Sequence, residues 1–483
     1  MGRGGTNLRV GFIELLGPTS SPSNGAQSSE NGTNVRSRVK RKLEKSWPIG
    51  ELLKKNKAED LFKWIGECVA EVMQDGCQTW PGQLSDPLPM GVTFSFPMMF
   101  VSSPTFKHLL IASSQHTLSD ATLMGMGKGF AITSNLDLAK QLMTGYENSR
   151  TPSLPKIKIS AICNDTIATL VSFAYQLQRS PRRKAAMGLI VGTGCNATIP
   201  LALSKLHPSK RPKSVKVLDD RDSDLDLKIA VNTEWTIKGA AGPLHELNFI
   251  TEWDSILDAE GEAPGFQPFE YMTAGRYLGE LGRIIIVDYF TTHLHIPRPS
   301  LPPKLLLRHG LTTTSLGNIG PHLFPIEPSM VKQLEAELAP STGLGAWQWT
   351  DEAAEIVFAI AKAVQRRAAG MTAAAIIGLL ACADEIHLNP SSSTPTMHLL
   401  NGTANLKPAP PAVDELMVGY TGGCIMHFQD YLSDCQGFLD AIMQKEFGNS
   451  FTPRVVLLPC HDGGILGAGI LAGTVQNVGH DAR

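Results

Sequence analysis

The chain has 483 residues, 42% hydrophobic and 18% charged, with a formal net charge of −2. That length and composition exclude a disordered polymer and allow two or more domains with sizeable cores, while the small net charge gives no case for nucleic-acid or membrane binding. No apolar run reaches the length of a membrane span, and the eight cysteines form no CxxC pair, so an intracellular protein with reduced thiols is expected.

In chain order, Gly4-Gly5-Thr6-Asn7 is a small-residue turn ahead of a strand expected over residues 8–16, which carries Arg9. Residues 17–35 read as a Ser/Gly/Asn-rich loop. Arg36, Arg38, Lys40, Arg41 and Lys42 then form a basic cluster, expected as a solvated loop or helix start, with a nuclear-import patch as the alternative. Leu61, Ile65, Val69 and Val72 recur at helical spacing and predict a helix over 58–74 packed on a sheet. Thr93-Phe94-Ser95-Phe96-Pro97 and Gly127-Lys128-Gly129-Phe130 follow.

An apolar segment next runs into Asn164-Asp165-Thr166, which places an amide and a carboxylate in one turn. The plain alternative for Asp165 is a helix N-cap. A second apolar strand, 188–191, runs into Gly192-Thr193-Gly194-Cys195-Asn196, where small residues let backbone N–H groups approach a ligand closely. An acid in one turn and a glycine turn in the next predict a sugar or phosphate site at a strand edge. Apolar strands and helices alternate through residue 300, which predicts an α/β architecture. Residues 351–385 predict a long Ala-rich helix followed by a second, buried one. Residues 388–413 predict a Pro/Ser/Thr-rich surface insertion. Asp462-Gly463-Gly464, with Gly467-Ala468-Gly469, opens a final short helix.

These motifs resemble those of the hexokinase family, in the family's order and across roughly residues 4–473. Asn232-Thr233-Glu234-Trp235 is similar to its NTEWG segment. Phe266-Gln267-Pro268-Phe269-Glu270-Tyr271-Met272, with Gly275-Arg276-Tyr277-Leu278-Gly279-Glu280-Leu281 after it, is similar to its QxFEKM…GxYLGEL helix. The resemblance implies an α/β, two-lobed actin-like ATPase fold of ribonuclease H-like topology with a central cleft. The small lobe would span 1–160, with a C-terminal helix 466–483 returning to it, and the large lobe 161–465. The ligand implied is a hexose, glucose first. Asp165 would be the base for its 6-hydroxyl, and Ser95, Lys128, Asn164, Asn196, Glu234, Gln267 and Glu270 would contact the ring. Nucleotide and phosphate contacts would fall on Gly4, Gly5, Thr6, Asn7, Arg9, Thr169, Gly192, Thr193, Gly194, Gly422, Asp462, Gly463 and Gly467. ATP and Mg2+ would serve an active protein, with no metal held by the protein itself.

Departures from the family pattern gather on the phosphate side. Gly2 stands where the family's first phosphate motif has an aspartate. The second phosphate motif is Gly419-Tyr420-Thr421-Gly422-Gly423, without its acid and its hydroxyl. One lost hydrogen bond to a charged group is worth roughly 1.5–3 kcal/mol, on the order of ten- to a hundredfold in rate if felt in the transition state. Ile465 replaces a glycine of the adenosine loop, Gly127 a threonine, and Thr236-Ile237-Lys238 the family's Gly-Ala-Phe. The favoured expectation is therefore a hexose-binding, catalytically impaired regulator, similar to the atypical hexokinases of filamentous fungi. That subgroup is linked to carbon-starvation responses including extracellular protease production, and regulatory protein partners would go with it. The alternative is an active ATP-dependent hexokinase. A cytoplasmic location is expected, with the nucleus as the alternative, and neither a membrane nor direct nucleic-acid contact.

Overall fold

In the computed structural model the described residues are 7–16, 38–95, 98–100, 105–107, 110–112, 121–123, 136–177, 180, 182–211, 227–237, 240–261, 263–320, 329–342, 347–388, 413–448 and 453–480. Gly4, Gly5, Thr6 and Lys128, like the 17–35 loop and most of the 388–413 insertion, lie outside them.

The first strand, β1 (Asn7–Leu15), pairs antiparallel with β2 (Val39–Pro48). The basic cluster is thus neither loop nor helix start from Val39 onward: it is strand. Its charges are met by acids, Lys42 by Glu14 at 3.0 Å and Arg41 by Glu44 at 2.9 Å, which frees the alternating chain to take the extended conformation. Helix α1 (Ala58–Thr79) buries Leu61, Ile65, Val69, Val72 and Met73 on one face, five residues past the expected end. Strand β3 (Leu88–Thr93) pairs parallel with β4 (Ile157–Cys163), and helix α2 (Leu138–Ser149) lies between them in sequence. These elements share the smaller core. The expected lobe boundary at 160/161 falls inside β4.

Helix α3 (Asp165–Gln176) leads into the larger sheet. There β5 (Arg183–Val191), β6 (Cys195–Ala202) and β7 (Lys228–Asn232) form an antiparallel meander. On the other side of β5 lie the parallel strands β8 (Glu415–Thr421) and β9 (Arg454–Pro459). The order is β9-β8-β5-β6-β7, with two short strands, Thr105–Lys107 and Leu110–Ala112, beyond β7. This is the ribonuclease H-like arrangement. β8 is buried on both faces because helices cover both, so its sequence is an unbroken apolar run rather than an alternating one.

Helices α4 (Pro268–Thr273), α5 (Gly275–Thr292), α6 (Asp351–Cys382) and α7 (Tyr431–Phe447) build the larger core. The two helices expected over 351–385 are one. Gly370 does not break α6, although a mid-helix glycine costs about 1 kcal/mol; the Phe438 ring of α7 packs close against it, 3.3 Å from where a Cβ would lie. The final helix, α8 (Gly463–His480), lies along α3 and β3.

Just past the end of α6, Glu385 is 6% exposed and accepts from Lys184 of β5 at 2.6 Å and Lys228 of β7 at 2.8 Å. Burial pushes its pKa up, but the two bonded ammonium groups outweigh this and hold it below the ordinary 4.5. A carboxyl lowered on folding stabilises above its unfolded pKa and loses that contribution as pH falls through the folded one. Because both lysines are partly exposed, Glu385→Gln should cost about 1–3 kcal/mol, less than a fully buried pair. Urea unfolding should show the gap near neutral pH and its loss as pH falls through the folded pKa, which lies below 4.5.

Candidate functional site

The turn after β4 positions the acid. Asn164 is the N-cap of α3: its Oδ1 accepts from the Thr166 backbone N–H at 2.9 Å and from Thr166 Oγ1 at 2.7 Å. Asp165 is therefore not the cap, and its carboxylate stays outside that hydrogen-bond ring. It lines a cavity of about 810 Å³ together with Ser95, Asn7, Arg9, Thr421, Asp462 and Gly463. Beneath it Cys163 is fully buried, and burial followed by the Asp165 charge pushes its thiol up to about 12. It stays protonated and is no nucleophile.

Across the cleft, polar side chains from four segments converge. Asn196 Nδ2 donates to Asn232 Oδ1 at 2.8 Å and to Glu234 Oε1 at 3.1 Å, and Asn232 Nδ2 donates to the same Glu234 oxygen at 2.8 Å. Glu234 holds φ at 44°, a left-handed conformation uncommon for a non-glycine residue. Gln267 Nε2, at 3.3 Å, and Thr236 Oγ1, at 3.1 Å, both donate to Glu270 Oε2, and Glu270 is 6% exposed. Thr166 joins this group to the acid's turn, because its hydroxyl also meets Thr198 at 2.7 Å and Asn232 at 3.4 Å. Asn164, Asn196 and Glu234 are thus joined in one hydrogen-bonded set through Thr166 and Asn232, Gln267 and Glu270 form a second set with Thr236, and Asp165 follows Asn164 in the turn. Ser95 stands on the cavity side.

Two residues were not singled out from the sequence. Asn232 is the hub between Asn196 and Glu234; its signal was its place two residues before Glu234, at the end of an apolar strand. Thr236 looked like a change in the pocket wall, yet its buried hydroxyl orients Glu270.

The glycine turns meet one another. Gly192 and Gly422 are in contact: a Cβ on Gly422, which sits at φ 123°, would lie 2.3 Å from the Val191 carbonyl oxygen. The Gly192-Thr193-Gly194 turn is pinned from α5, whose Gly275 and Arg276 N–H groups donate to Gly192 O at 2.8 Å and Thr193 O at 3.2 Å. Asp462 closes the group from below, bound to Arg9 at 2.8 Å and Arg41 at 2.7 Å. Thr169 and Gly467 are placed differently from these. Thr169 is fully buried with its hydroxyl on the Asp165 carbonyl at 2.9 Å, and Gly467 packs α8 against α3 so closely that a Cβ would sit 2.0 Å from Ala168 O. Among the described residues no group of three His, Cys, Asp or Glu could hold a metal ion.

Fold and site together define a two-lobed α/β protein of the actin-like type with a polar constellation between sheet edges. Two family models described as hexokinase match it, one over residues 3–175 and one over residues 186–474. The chain belongs to the hexokinase family. It is 30% identical over 319 residues to the hexokinase of Schistosoma mansoni, 65% of this chain and 57% of that protein. It is 29% identical over 289 residues to that of Kluyveromyces lactis, 59% of this chain and 48% of that one. The chain spans about half the length of the curated relatives it matches. Among solved structures, Schistosoma mansoni hexokinase complexed with glucose superposes at a TM-score of 0.65 and 24% identity, covering 97% of this chain and 83% of that one. A second hexokinase crystal structure gives 0.60 at 20% identity, covering 91% of this chain and 80% of that one. At those identities the likeness establishes the fold.

The two faces of α8 make a direct comparison. Gly467→Ala drives a methyl into the α3 backbone and should lower stability by about 1–3 kcal/mol, the range for overpacking. Gly464→Ala meets only the Thr93 methyl at 3.4 Å, and thermal unfolding should leave it close to the parent.

Proposed function

We propose that this chain binds a hexose between its lobes and transfers a phosphoryl group to it from ATP, with Asp165 as the base. The observation that carries the reading is the connected set Asn164–Thr166–Asn232–Asn196–Glu234, with Gln267, Thr236 and Glu270 beside it. Carboxylates and amides already hydrogen-bonded to one another are held at fixed angles, which suits a ring of hydroxyls that each donate and accept. Burial makes the set selective, because a ligand lacking one hydroxyl leaves a buried polar atom unpaired. In the reaction the sugar oxygen bonds to the terminal phosphorus, the bond from phosphorus to the ADP oxygen breaks, and the hydroxyl proton passes to Asp165. The names of the relatives, all hexokinases, favour this reading.

ATP fits the glycine turns at 192–194 and 422–423, where backbone approaches closely without side chains. The Mg2+ that accompanies it would be carried largely by the phosphates. It would supply charge neutralisation; Thr421 and Asp462 line the same cavity as Asp165. Location in the cytoplasm goes with this reading.

A second reading has its own observation. Thr421-Gly422-Gly423 presents neither acid nor hydroxyl after Gly422, and Asp462 is bound to two arginines rather than free for a nucleotide. A protein that senses hexose without transferring phosphate, acting on carbon-starvation responses through protein partners, would keep the sugar set and lose these.

One assay separates them. Purified protein with Mg-ATP and glucose should form glucose 6-phosphate, and Asp165→Ala should abolish turnover while leaving glucose binding by calorimetry within a few fold. Binding with no turnover above the variant would establish the sensor. Absence of hexose binding would sink both. Asn232→Ala leaves Asn196 and Glu234 unoriented and should weaken glucose about ten- to a hundredfold, the equivalent of about 1–3 kcal/mol.

A further inference from the structure

Asp462 has both of its carboxylate oxygens taken by arginines. Arg9 of β1 donates from Nη1 to Oδ1 at 2.8 Å, and Arg41 of β2 donates from Nη1 to Oδ2 at 2.7 Å. Asp462 lies in the connection from β9 to α8 and holds φ at 55°, a region in which Asp and Asn are enriched. Arg9 and Asp462 line the same cavity as Asp165 and Thr421. A carboxylate gripped by two guanidinium groups therefore stands in the wall of the candidate site.

The plain alternative is a brace that ties β1 and β2 to the start of α8. Each of those joints is already made by other means. β1 and β2 pair along their whole length, from Asn7 opposite Pro48 to Leu15 opposite Val39. Gly463, next after Asp462, packs so closely that a Cβ would lie 3.0 Å from the Thr169 Cα, and at Gly467 the approach to Ala168 is closer still. The neighbouring cations of β2 are met by acids on the adjoining elements, Lys42 by Glu14 at 3.0 Å and Lys45 by Glu71 at 2.8 Å. Arg41 has a local acid too, Glu44 at 2.9 Å, yet the same nitrogen also reaches Asp462. The side chains of Arg9, Arg41 and Asp462 are 46%, 42% and 27% exposed, and ion pairs open to water and salt contribute little net stability. The contact is weak as a brace and well formed as a set of anion donors.

Charge decides what such a set prefers. A carboxylate brings one negative charge and two oxygens. A terminal phosphate group brings a charge of about two and three strong acceptor oxygens, in a shape that planar guanidinium forks match with paired hydrogen bonds. The same two arginines would hold a phosphate chain more firmly than they hold Asp462. Because the internal pair is half open to solvent, breaking it leaves no buried charge behind: Asp462 can turn to water once the phosphate has taken its place.

We propose that Asp462 is a built-in competitor: its carboxylate occupies an anion site formed by Arg9 and Arg41, and a ligand bearing a phosphate chain enters by displacing it. Arg41, which the sequence offered only as one member of a basic cluster, is then a phosphate-binding residue, and Glu44 holds its guanidinium in place during the exchange. The engagement of Asp462 becomes a threshold rather than a loss of the site. Singly charged anions gain too little to displace the carboxylate, whereas a di- or triphosphate does, so the internal acid selects by charge. The inference rests on the reading of this end of the cavity as its phosphate side, and holds whether phosphate is transferred there or only sensed.

The test is calorimetric titration of the full chain with inorganic pyrophosphate in magnesium-free buffer, so that the arginines alone meet the charge. Asp462→Asn removes the competing charge and keeps a residue suited to φ 55°; it should bind pyrophosphate about tenfold more tightly than the parent, the worth of one charge-assisted hydrogen bond. Arg41→Gln should bind it about tenfold more weakly. A brace predicts the reverse for Asp462→Asn, a lower Tm with affinity equal to or below the parent's, and that result overturns the proposal. Arg41→Gln with the parent's affinity overturns it as well, and decides the matter should Asp462→Asn fail to fold. Absence of binding to the parent and to both variants overturns the proposal together with the phosphate reading beneath it. Equal binding by parent and Asp462→Asn overturns the proposal alone.

Discussion

One buried hydroxyl holds the site to the fold. Thr166, fully buried at the first turn of α3, binds Asn164 on its own turn, Thr198 on β6 and Asn232 at the end of β7. The acid's turn follows β4 of the small lobe, whereas β6 and β7 belong to the large one. The relation between Asp165 and the amides of Asn196 and Asn232 is therefore set by two short hydrogen bonds and one longer one at 3.4 Å, around a fully buried hydroxyl. Around this point the two terminal helices of the lobes, α3 and α8, lie backbone to backbone, with Gly467 on Ala168 and Gly463 on Thr169.

Much of this was legible because it is local. β-strands ending in Asn164-Asp165 and in Gly192-Thr193-Gly194 could be read from apolar runs that stop at small and polar residues, and α1 from the spacing of Leu61, Ile65, Val69 and Val72. What the sequence hid was long-range. Arg38 to Lys42 looked like a solvated loop because, Glu44 apart, the acids that meet it, Glu14 and Asp462, are distant in the chain. Residues 351–385 looked like two helices, whereas α6 runs through Gly370, beside which the Phe438 ring packs from 68 residues later in the chain. Asn232 and Thr236 orient other residues, and such supporting roles leave no spacing rule to find them by.

The site has an uneven character. The half assigned to the sugar under the proposed function is a network of hydrogen-bonded amides and carboxylates, so little ordering cost would remain for binding. The half assigned to phosphate under that proposal depends on bare backbone, with Gly422 and Gly463 fixed by close packing rather than by side chains that grip. The first half is specified by hydrogen-bond partners, and substitutions there break visible bonds. The second is specified by the lack of a Cβ, which tolerates altered neighbours as long as the turns keep their shape.

The cysteines have a practical consequence. Cys163, Cys195, Cys424, Cys435 and Cys460 are buried with thiols pushed up by desolvation, and Cys68 is buried likewise. Cys77 is half-buried on α1, and Cys382 alone of the eight is exposed. It ends α6, where its carbonyl accepts from Lys205. A maleimide dye at neutral pH will thus find Cys382 before the others. The native sequence carries one exposed labelling position, on the large lobe and away from the candidate site.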